Sequence, residues 1–190
     1  MFDLSLTAQT ALNGFRRDFE GVSLAEVGDH ASVSVATPMG GGERLGKSIA
    51  SAYGAKLPAV GKSNLSDDGK ARFLGLQPDQ MFLLFEHEGD RAVAVVTGQL
   101  GDAGYYTDQS DSWAMLRLSG PVGRTALERI CMLDLHPETF AIGAVARTTM
   151  EHLGVIILRE AADSFLLMSP RSSATSFLHA VETSIVNVTG

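Results

Sequence analysis

The sequence predicts an α+β protein with mostly antiparallel sheets, and three patterns along its 190 residues support this prediction. Short apolar or alternating runs bounded by turn residues predict strands, and apolar stretches between loop signals predict helices. The same order of elements occurs twice, which predicts two successive β-α-β-β-α units in a duplicated ferredoxin-like arrangement. Two such units can bury the apolar faces of their sheets and helices against each other.

The first unit is predicted to contain four strands and two helices. In chain order these are strands over 22–27 and 31–37, a helix over 45–53, strands over 70–76 and 81–85, and a helix over 91–100. Gly54 is placed to end the first helix, because glycine adopts the left-handed conformation that closes many helices. The glycines at 101 and 104 then interrupt the chain.

The second unit follows the same plan. It contains a strand over 113–118, a helix over 124–132, a turn-bounded run over 140–149, strands over 153–158 and 164–168, and a helix over 174–185. The two hairpins also share residues: when 73–84 is laid on 156–167, the triplet 82–84 matches the triplet 165–167, both Phe-Leu-Leu. This match supports a duplication.

The predicted organisation is one folded unit over residues 21–187, with pseudo-repeats over about 21–104 and 105–187. Residues 1–20 are expected to form an N-terminal arm or a short helix. The arm carries Phe2, Leu4 and Leu6, and apolar residues in a terminal arm need a surface to lie on, in the same chain or in a partner.

Composition excludes several classes of function. Hydrophobic residues make up 45% of the chain, which is ample for a packed core. The net charge of −7 disfavours binding to nucleic acid or to an anionic membrane, since both need a basic face. The single cysteine, Cys131, is expected to be a buried thiol, which fits a reducing cytoplasm. The start of the chain is a poor signal peptide, and the apolar runs fall far short of the ~20 residues that span a bilayer.

The most conspicuous motif lies between Gly41 and Ser48, which satisfies the phosphate-loop pattern G-x-x-x-x-G-K-[ST] with a strand before it and a helix after it. In a phosphate loop, backbone N–H groups wrap the phosphates and the lysine, here Lys47, reaches their oxygens. The motif interior holds Glu43, Arg44 and Leu45, and the surrounding chain predicts hairpins rather than parallel strands. We therefore expect a glycine-rich connection into a helix, with nucleotide binding as an alternative.

The remaining charged residues give no catalytic signature. Asp108 and Asp111 could form a carboxylate pair for acid–base chemistry, but their position before a strand is more typical of turn residues. Arg147 and Arg159 are expected to pair with Asp108 or Asp134 as structural bonds, with a ligand anion as the alternative. The five histidines are scattered, so metal binding is not expected.

Several segments form a set whose order and spacing are more specific than any one of them. They are Leu57-Pro58, 76–84, Asp108-Gln109-Ser110, 116–121, Leu133-Asp134-Leu135, Phe140, Ala146-Arg147-Thr148, His152 and 165–172. In this order and spacing the chain resembles the gamma subunit of heterotetrameric sarcosine oxidase over about residues 20–187. A more distant resemblance is to the folate-binding domain of glycine-cleavage aminomethyltransferases.

The resemblance implies a folate-binding-domain-like fold and a non-catalytic assembly subunit. The complex would oxidatively demethylate sarcosine to glycine and pass the one-carbon unit to tetrahydrofolate. FAD, FMN, NAD, zinc and tetrahydrofolate would be bound by the other subunits. The partners would be the alpha, beta and delta subunits, with alpha as the direct contact.

The resemblance makes Asp108, Arg147, His152 and Arg171 candidate structural or partner contacts. An alternative is a free-standing folate-binding protein in which Arg147 or Arg171 grips a glutamate tail. Where a folate-binding relative would place an Asn-rich strand end, the chain has Ser169-Pro170-Arg171-Ser172, which speaks against an independent folate site.

Overall fold

The computed structural model describes residues 9–190, and its regular elements are strands β1–β11 and helices α1–α4. The strands are β1 (Arg16–Phe19), β2 (Val22–Glu26), β3 (His30–Ala36), β4 (Ser63–Leu65), β5 (Ala71–Gln77), β6 (Gln80–Glu86), β7 (Tyr105–Asp108), β8 (Trp113–Ser119), β9 (Val145–Met150), β10 (Leu153–Ala161) and β11 (Ser164–Pro170). The helices are α1 (Gly42–Tyr53), α2 (Ala92–Leu100), α3 (Gly123–Glu128) and α4 (Ala174–Thr189).

These elements form four layers. A six-stranded sheet has the order β1-β2-β8-β11-β10-β9, a five-stranded sheet has the order β4-β5-β6-β3-β7, and their paired strands are antiparallel. The inner faces of the two sheets meet in an apolar cluster that includes Phe82, Met115 and Leu166. Helices α1 and α2 cover the outer face of the five-stranded sheet, and α3 and α4 cover that of the six-stranded sheet. The predicted α+β class with mostly antiparallel sheets is confirmed.

The two sheets repeat one arrangement. The order β4-β5-β6-β3 in one sheet corresponds to β9-β10-β11-β8 in the other, and each set includes two helices. The strand that precedes each set in the chain pairs with the other set. Strand β2, which precedes β3, pairs with β8, and strand β7, which precedes β8, pairs with β3. The division into pseudo-repeats at residue 104 stays a prediction, and this exchange of neighbouring strands supports it.

The hairpins β5-β6 and β10-β11 are equivalent in the two halves. Their equivalent residues are shifted by one position from the predicted match of 73–84 with 156–167. Each hairpin contains one irregularity in its first strand, between Gly75 and Gln77 in β5 and between Arg159 and Ala161 in β10. Aligning these bulges places Phe82 on Leu166, not on Phe165. The Phe-Leu-Leu match was therefore wrong in register, because a one-residue slip turns every side chain of a strand to the opposite face.

The two halves meet directly along a segment that we call the seam, residues 56–65 and 140–145. Lys62 forms a β-bridge with Ala144. On its two sides the Ser63 N–H donates to Gly143 O (2.7 Å) and the Val145 N–H donates to Gly61 O (3.1 Å). Gly61 and Gly143 have φ angles of 80° and 83°, a conformation in which a side chain is strained. These matching contacts relate the halves by an approximate two-fold axis.

Several elements differ from the sequence prediction. Strands β1, β4 and β7 were not predicted, and α3 ends at Glu128 rather than at residue 132. Part of the predicted arm forms β1 and pairs with β2, while Phe2, Leu4 and Leu6 lie outside the described residues. After α3 ends, a turn closed by the Ile130 N–H donating to Leu127 O leads to Cys131, which forms a β-bridge with Met150.

Candidate functional site

Two kinds of feature are absent from residues 9–190. No helix there is both long enough and apolar enough to cross a membrane. Within the same range, no three His, Cys, Asp or Glu side chains come together in a way that could hold a metal ion. Two clusters of polar and charged side chains lie near the two ends of β8, at opposite ends of the layer between the sheets.

Asp108 lies where the chain crosses from one sheet to the other, a segment that we call the crossover, residues 108–113. The Asp108 carboxylate is exposed and accepts a hydrogen bond from the Ser110 N–H (2.8 Å), which closes a local turn. Ser110 in turn accepts a hydrogen bond from the Ser32 N–H (3.1 Å), and the Gln109 N–H donates to Ser32 O (2.8 Å). The Asp108 carboxylate is therefore engaged in a local turn at the end of β7, which supports the interpretation of a turn residue.

Arg171 also contacts the crossover. Its guanidinium donates to Gln9 O (2.6 Å) and lies 3.5 Å from the Asp111 carboxylate. The Asp111 side chain is 98% exposed, and such surface pairs contribute about 0–1 kcal/mol. Arg171 thus ties residue 9 to the crossover and is available for further contacts.

Arg147 reaches the same end of the layer from β9. Its guanidinium carbon lies 5.6 Å from the centre of the Phe82 ring, and Phe82 makes an edge-to-face contact with Trp113 at 6.0 Å. Two polar atoms nearby, Ser32 Oγ and Trp113 Nε1, are buried and have no hydrogen-bond partner among the described residues. The crossover end therefore combines a cation, two aromatic rings and two unused hydrogen-bonding groups.

His152 lies apart from these residues. It forms the two-residue turn between β9 and β10 together with Glu151, and both side chains are exposed. Their φ angles of 69° and 45° are unusual for residues other than glycine. The structure does not bring His152 into the crossover, so only Asp108 and Arg171 join it directly, while Arg147 reaches it through Phe82 and Trp113.

The opposite end of the layer carries a charged pair that the sequence interpretation missed. Arg117 donates two hydrogen bonds to Glu160, at 2.7 and 3.2 Å, and these bonds raise the pKa of the Arg117 guanidinium. Arg72 approaches from the facing sheet, where burial lowers the pKa of its guanidinium. The sequence of β8 could have revealed this inward-facing charge. Arg117 follows the inward-facing Met115 by two residues, so both side chains lie on the same face of the strand.

Beside Arg117 there is an open cavity of about 510 Å³ that Asp29 and Ser119 also line. A hydrogen bond with His30 lowers the pKa of the Asp29 carboxyl below its usual value. Acidic and basic side chains both face this cavity, and Arg117 is already engaged by Glu160. The cavity therefore has no dominant charge that would select an ionic ligand.

The phosphate-loop motif does not form a phosphate loop. Helix α1 begins at Gly42, so the residues that would wrap a phosphate are already helical, and Leu45 is fully buried. Lys47 pairs with Glu43 at 2.6 Å, and Arg44 pairs with Asp102. The geometry supports the interpretation of a glycine-rich connection into a helix.

The expected pairing of Arg147 or Arg159 with Asp108 or Asp134 was wrong. Arg159 is 5% exposed and donates to the carbonyl oxygens of Phe140 (2.9 Å), Ala161 (3.3 Å) and Ala162 (2.6 Å). The Asp134 carboxylate instead accepts from the His136 N–H and the Thr139 hydroxyl, both at 2.9 Å. Arg159 is thus a structural residue that organises backbone carbonyls near the seam.

The chain is similar to three curated proteins named as gamma subunits of sarcosine oxidase. It is 35% identical over 157 residues to that of Corynebacterium sp. (strain P-1), an alignment that spans 81% of this chain and 74% of the relative. It is 31% identical over 128 residues to that of Corynebacterium sp. (strain U-96) and 32% identical over 122 residues to that of Arthrobacter sp.. These two alignments span 67% and 63% of this chain, and 62% and 59% of the relatives. No protein-family model matches the chain.

Two solved structures share the fold. A chain of the heterotetrameric sarcosine oxidase from Corynebacterium sp. U-96, in complex with pyrrole 2-carboxylate, is 26% identical with a TM-score of 0.77, over 89% of this chain and 86% of that one. The glycine cleavage system aminomethyltransferase T from Bartonella henselae is 15% identical with a TM-score of 0.59, over 85% of this chain and 45% of that one, which shows the fold alone. The folate-binding-domain-like fold is confirmed, and the chain belongs to the family of sarcosine oxidase gamma subunits.

Proposed function

We propose that this chain is a non-catalytic assembly subunit of a heterotetrameric sarcosine oxidase, which demethylates sarcosine oxidatively to glycine and transfers the one-carbon unit to tetrahydrofolate. The single observation that carries the proposal is the 35% identity with a sarcosine oxidase gamma subunit across 81% of the chain. The site supports it, because Asp108, Arg117 and Arg159 are each engaged in local structure rather than presented to a substrate.

The partners that we propose are the alpha, beta and delta subunits, with alpha as the direct contact. FAD, FMN, NAD, zinc and tetrahydrofolate would lie on those subunits, and the complex would be cytoplasmic. The chain has a single cysteine, Cys131, and therefore no internal disulfide, which supports a reducing compartment. The similarity to a chain of a heterotetrameric sarcosine oxidase, with a TM-score of 0.77, supports a place in such an assembly.

Co-expression tests this proposal. A tag on this chain should recover the other three subunits in a stable complex, and omitting this chain should lower the yield of assembled complex. Recovery of this chain alone from cells that express all four subunits would contradict the proposal.

A second candidate function is folate binding by this chain itself, and the crossover end of the inter-sheet layer favours it. Trp113 and Phe82 could stack against a pterin-like ring, and Arg147 could meet a glutamate carboxylate. Titration with tetrahydrofolate would then quench the fluorescence of Trp113 in a saturable way, and Arg147→Met would weaken this response. Absence of saturable quenching would exclude this candidate and leave the assembly role intact.

A further inference from the structure

An apolar patch is exposed on the seam. It consists of Leu57, Val60, Leu65 and Ile142, whose exposed fractions are 38%, 54%, 45% and 63%. These are four of the nine large apolar side chains that are exposed in the described part of the chain. Backbone bonds between residues 61–63 and 143–145 bring Ile142 to the other three, so that side chains distant in sequence share one surface. We call these four residues the seam patch.

The backbone beneath the seam patch is firmly held. A turn is closed by the Lys62 N–H donating to Ala59 O (3.0 Å), and the Gly61 N–H donates to Gly75 O (2.8 Å). The Asn64 side-chain amide donates to Lys56 O (2.9 Å), which holds the other end of the segment. Apolar side chains on a preorganised backbone lose little conformational freedom on binding, which is typical of interface anchors.

The charge around the seam patch is opposite to that of the whole chain. In the seam, residues 56–65 contain Lys56 and Lys62 and no acidic residue, and residues 140–145 contain no charged residue, whereas the chain has a net charge of −7. Two of the four lysines of the protein therefore lie in the seam itself. A cationic rim around an apolar centre is complementary to a protein surface with an apolar centre and an acidic rim.

We propose that the seam patch is the docking surface for a partner subunit of the complex, whose matching face is apolar at its centre and acidic at its rim. This inference rests on the proposed assembly function and deepens it by naming the surface. A second copy of this chain fits less well, because two seam patches would bring like net charges together.

The experiment substitutes two seam-patch residues and one control residue in the complex of all four co-expressed subunits. Val60→Asp and, independently, Ile142→Asp place a carboxylate in the apolar centre, and each should weaken association with the other subunits at least about tenfold. Val95→Asp is the matched control, because Val95 is 41% exposed on α2, outside the seam, and should associate like the parent. Unfolding of each isolated variant, followed by circular dichroism, verifies that the fold is retained.

Charge reversal provides a second arm. Lys62→Glu should also weaken association, and the remaining affinity should depend less on salt concentration than that of the parent.

Parent-like association of folded Val60→Asp and Ile142→Asp would overturn the inference while leaving the assembly function standing. Failure of the parent chain itself to associate would overturn both. A homodimer of the isolated chain that Val60→Asp dissociates would assign the patch to a second copy and overturn the inference as well.

Discussion

Two equivalent positions near the seam carry very different residues. Gly75 in β5 and Arg159 in β10 each precede the bulge of their hairpin and exchange backbone hydrogen bonds with the seam. A Cβ atom at Gly75 would collide with the carbonyl oxygen of Ala59, so this position accepts no side chain. At Arg159 the guanidinium instead occupies space beside the strand and binds three carbonyls.

This difference shows how one fold has been adapted in its two halves. In the first half, α1 has twelve residues and the turn after it lies directly on β5. In the second half, α3 has only six residues, and a longer irregular connection that buries Leu135 and Phe140 leads to β9. Both connections nevertheless close a matching turn, in which the Lys62 N–H donates to Ala59 O and the Ala144 N–H donates to Ala141 O. In the second half the Arg159 guanidinium adds a side-chain bond to Phe140 O, which holds the longer connection against β10.

The largest effect is expected for Arg159→Ala, which would lower the free energy of unfolding by about 4 kcal/mol. The carbonyl of Phe140 would lose its donor in a buried place, those of Ala161 and Ala162 would lose theirs in partly buried places, and the removed side chain would leave a cavity. Chemical denaturation followed by circular dichroism measures the loss. Arg159→Lys should recover only part of it, since one ammonium cannot reproduce the planar set of donors. A loss below about 1 kcal/mol would contradict the structural role of the guanidinium.

A somewhat smaller loss, about 2–3 kcal/mol, is expected for Gly75→Ala, because the added methyl group meets backbone rather than a flexible side chain. Gly98→Ala in α2 is the matched control, since an added Cβ there meets nothing within 4 Å. The control should stabilise the protein by about 0.5–1 kcal/mol, because alanine favours a helix over glycine. Equal effects of the two substitutions in denaturation experiments would refute the close approach at Gly75.

A gain of about 0.5–1 kcal/mol is also expected for Gly46→Ala, because Gly46 lies inside α1 with nothing within 4 Å of an added Cβ. The same substitution would disrupt a true phosphate loop, whose second glycine permits close approach of the backbone to phosphate. Thermal melts with and without ATP and Mg²⁺ check both points. Nucleotide-dependent stabilisation of the parent that Gly46→Ala abolishes would revive nucleotide binding.

The smallest effect on stability is expected from the ionisation of Cys131. Its thiol lies in the connection between α3 and β9 and reports on the local structure there. Burial raises the pKa of its thiol, so the neutral form is favoured in the folded state. Its contribution to stability is fully present below the usual thiol pKa of about 8.5 and is lost as the pH rises through the folded value. Near pH 8, reaction with a thiol reagent should be at least about tenfold slower in folded than in unfolded protein. Arg159→Ala should accelerate this reaction more than Gly75→Ala, and the reverse order would contradict the local role of Arg159.

The sequence predicted the long elements well, because their apolar patterns extend over many residues. The helix at Gly42–Tyr53 and the hairpin over Ala71–Glu86 follow directly from such patterns. The short strands β1, β4 and β7 have three or four residues each and exist through pairing with neighbours, so local pattern could not reveal them. The exchange of β2 and β7 between the sheets likewise depends on tertiary contacts alone.

The candidate site was predicted less completely than the fold. Asp108 was placed correctly at a strand end, because the turn chemistry of aspartate is local. The partners of Arg159 are carbonyls of residues 140, 161 and 162, and a backbone acceptor leaves no trace in side-chain chemistry. The seam patch was also missed, because it joins Ile142 to residues some eighty positions earlier through pairing that only the folded structure shows.

The most direct test of a purely structural role is the turnover of the assembled complex when the candidate side chains are removed. The complex should be purified with Asp108→Asn and Arg147→Met together in this chain, and kcat should be measured per assembled complex with sarcosine. A structural subunit predicts kcat within about twofold of the parent, because neither side chain would touch the reacting atoms. A loss of kcat of about a hundredfold or more in a fully assembled complex would contradict the account and place catalytic chemistry on this chain.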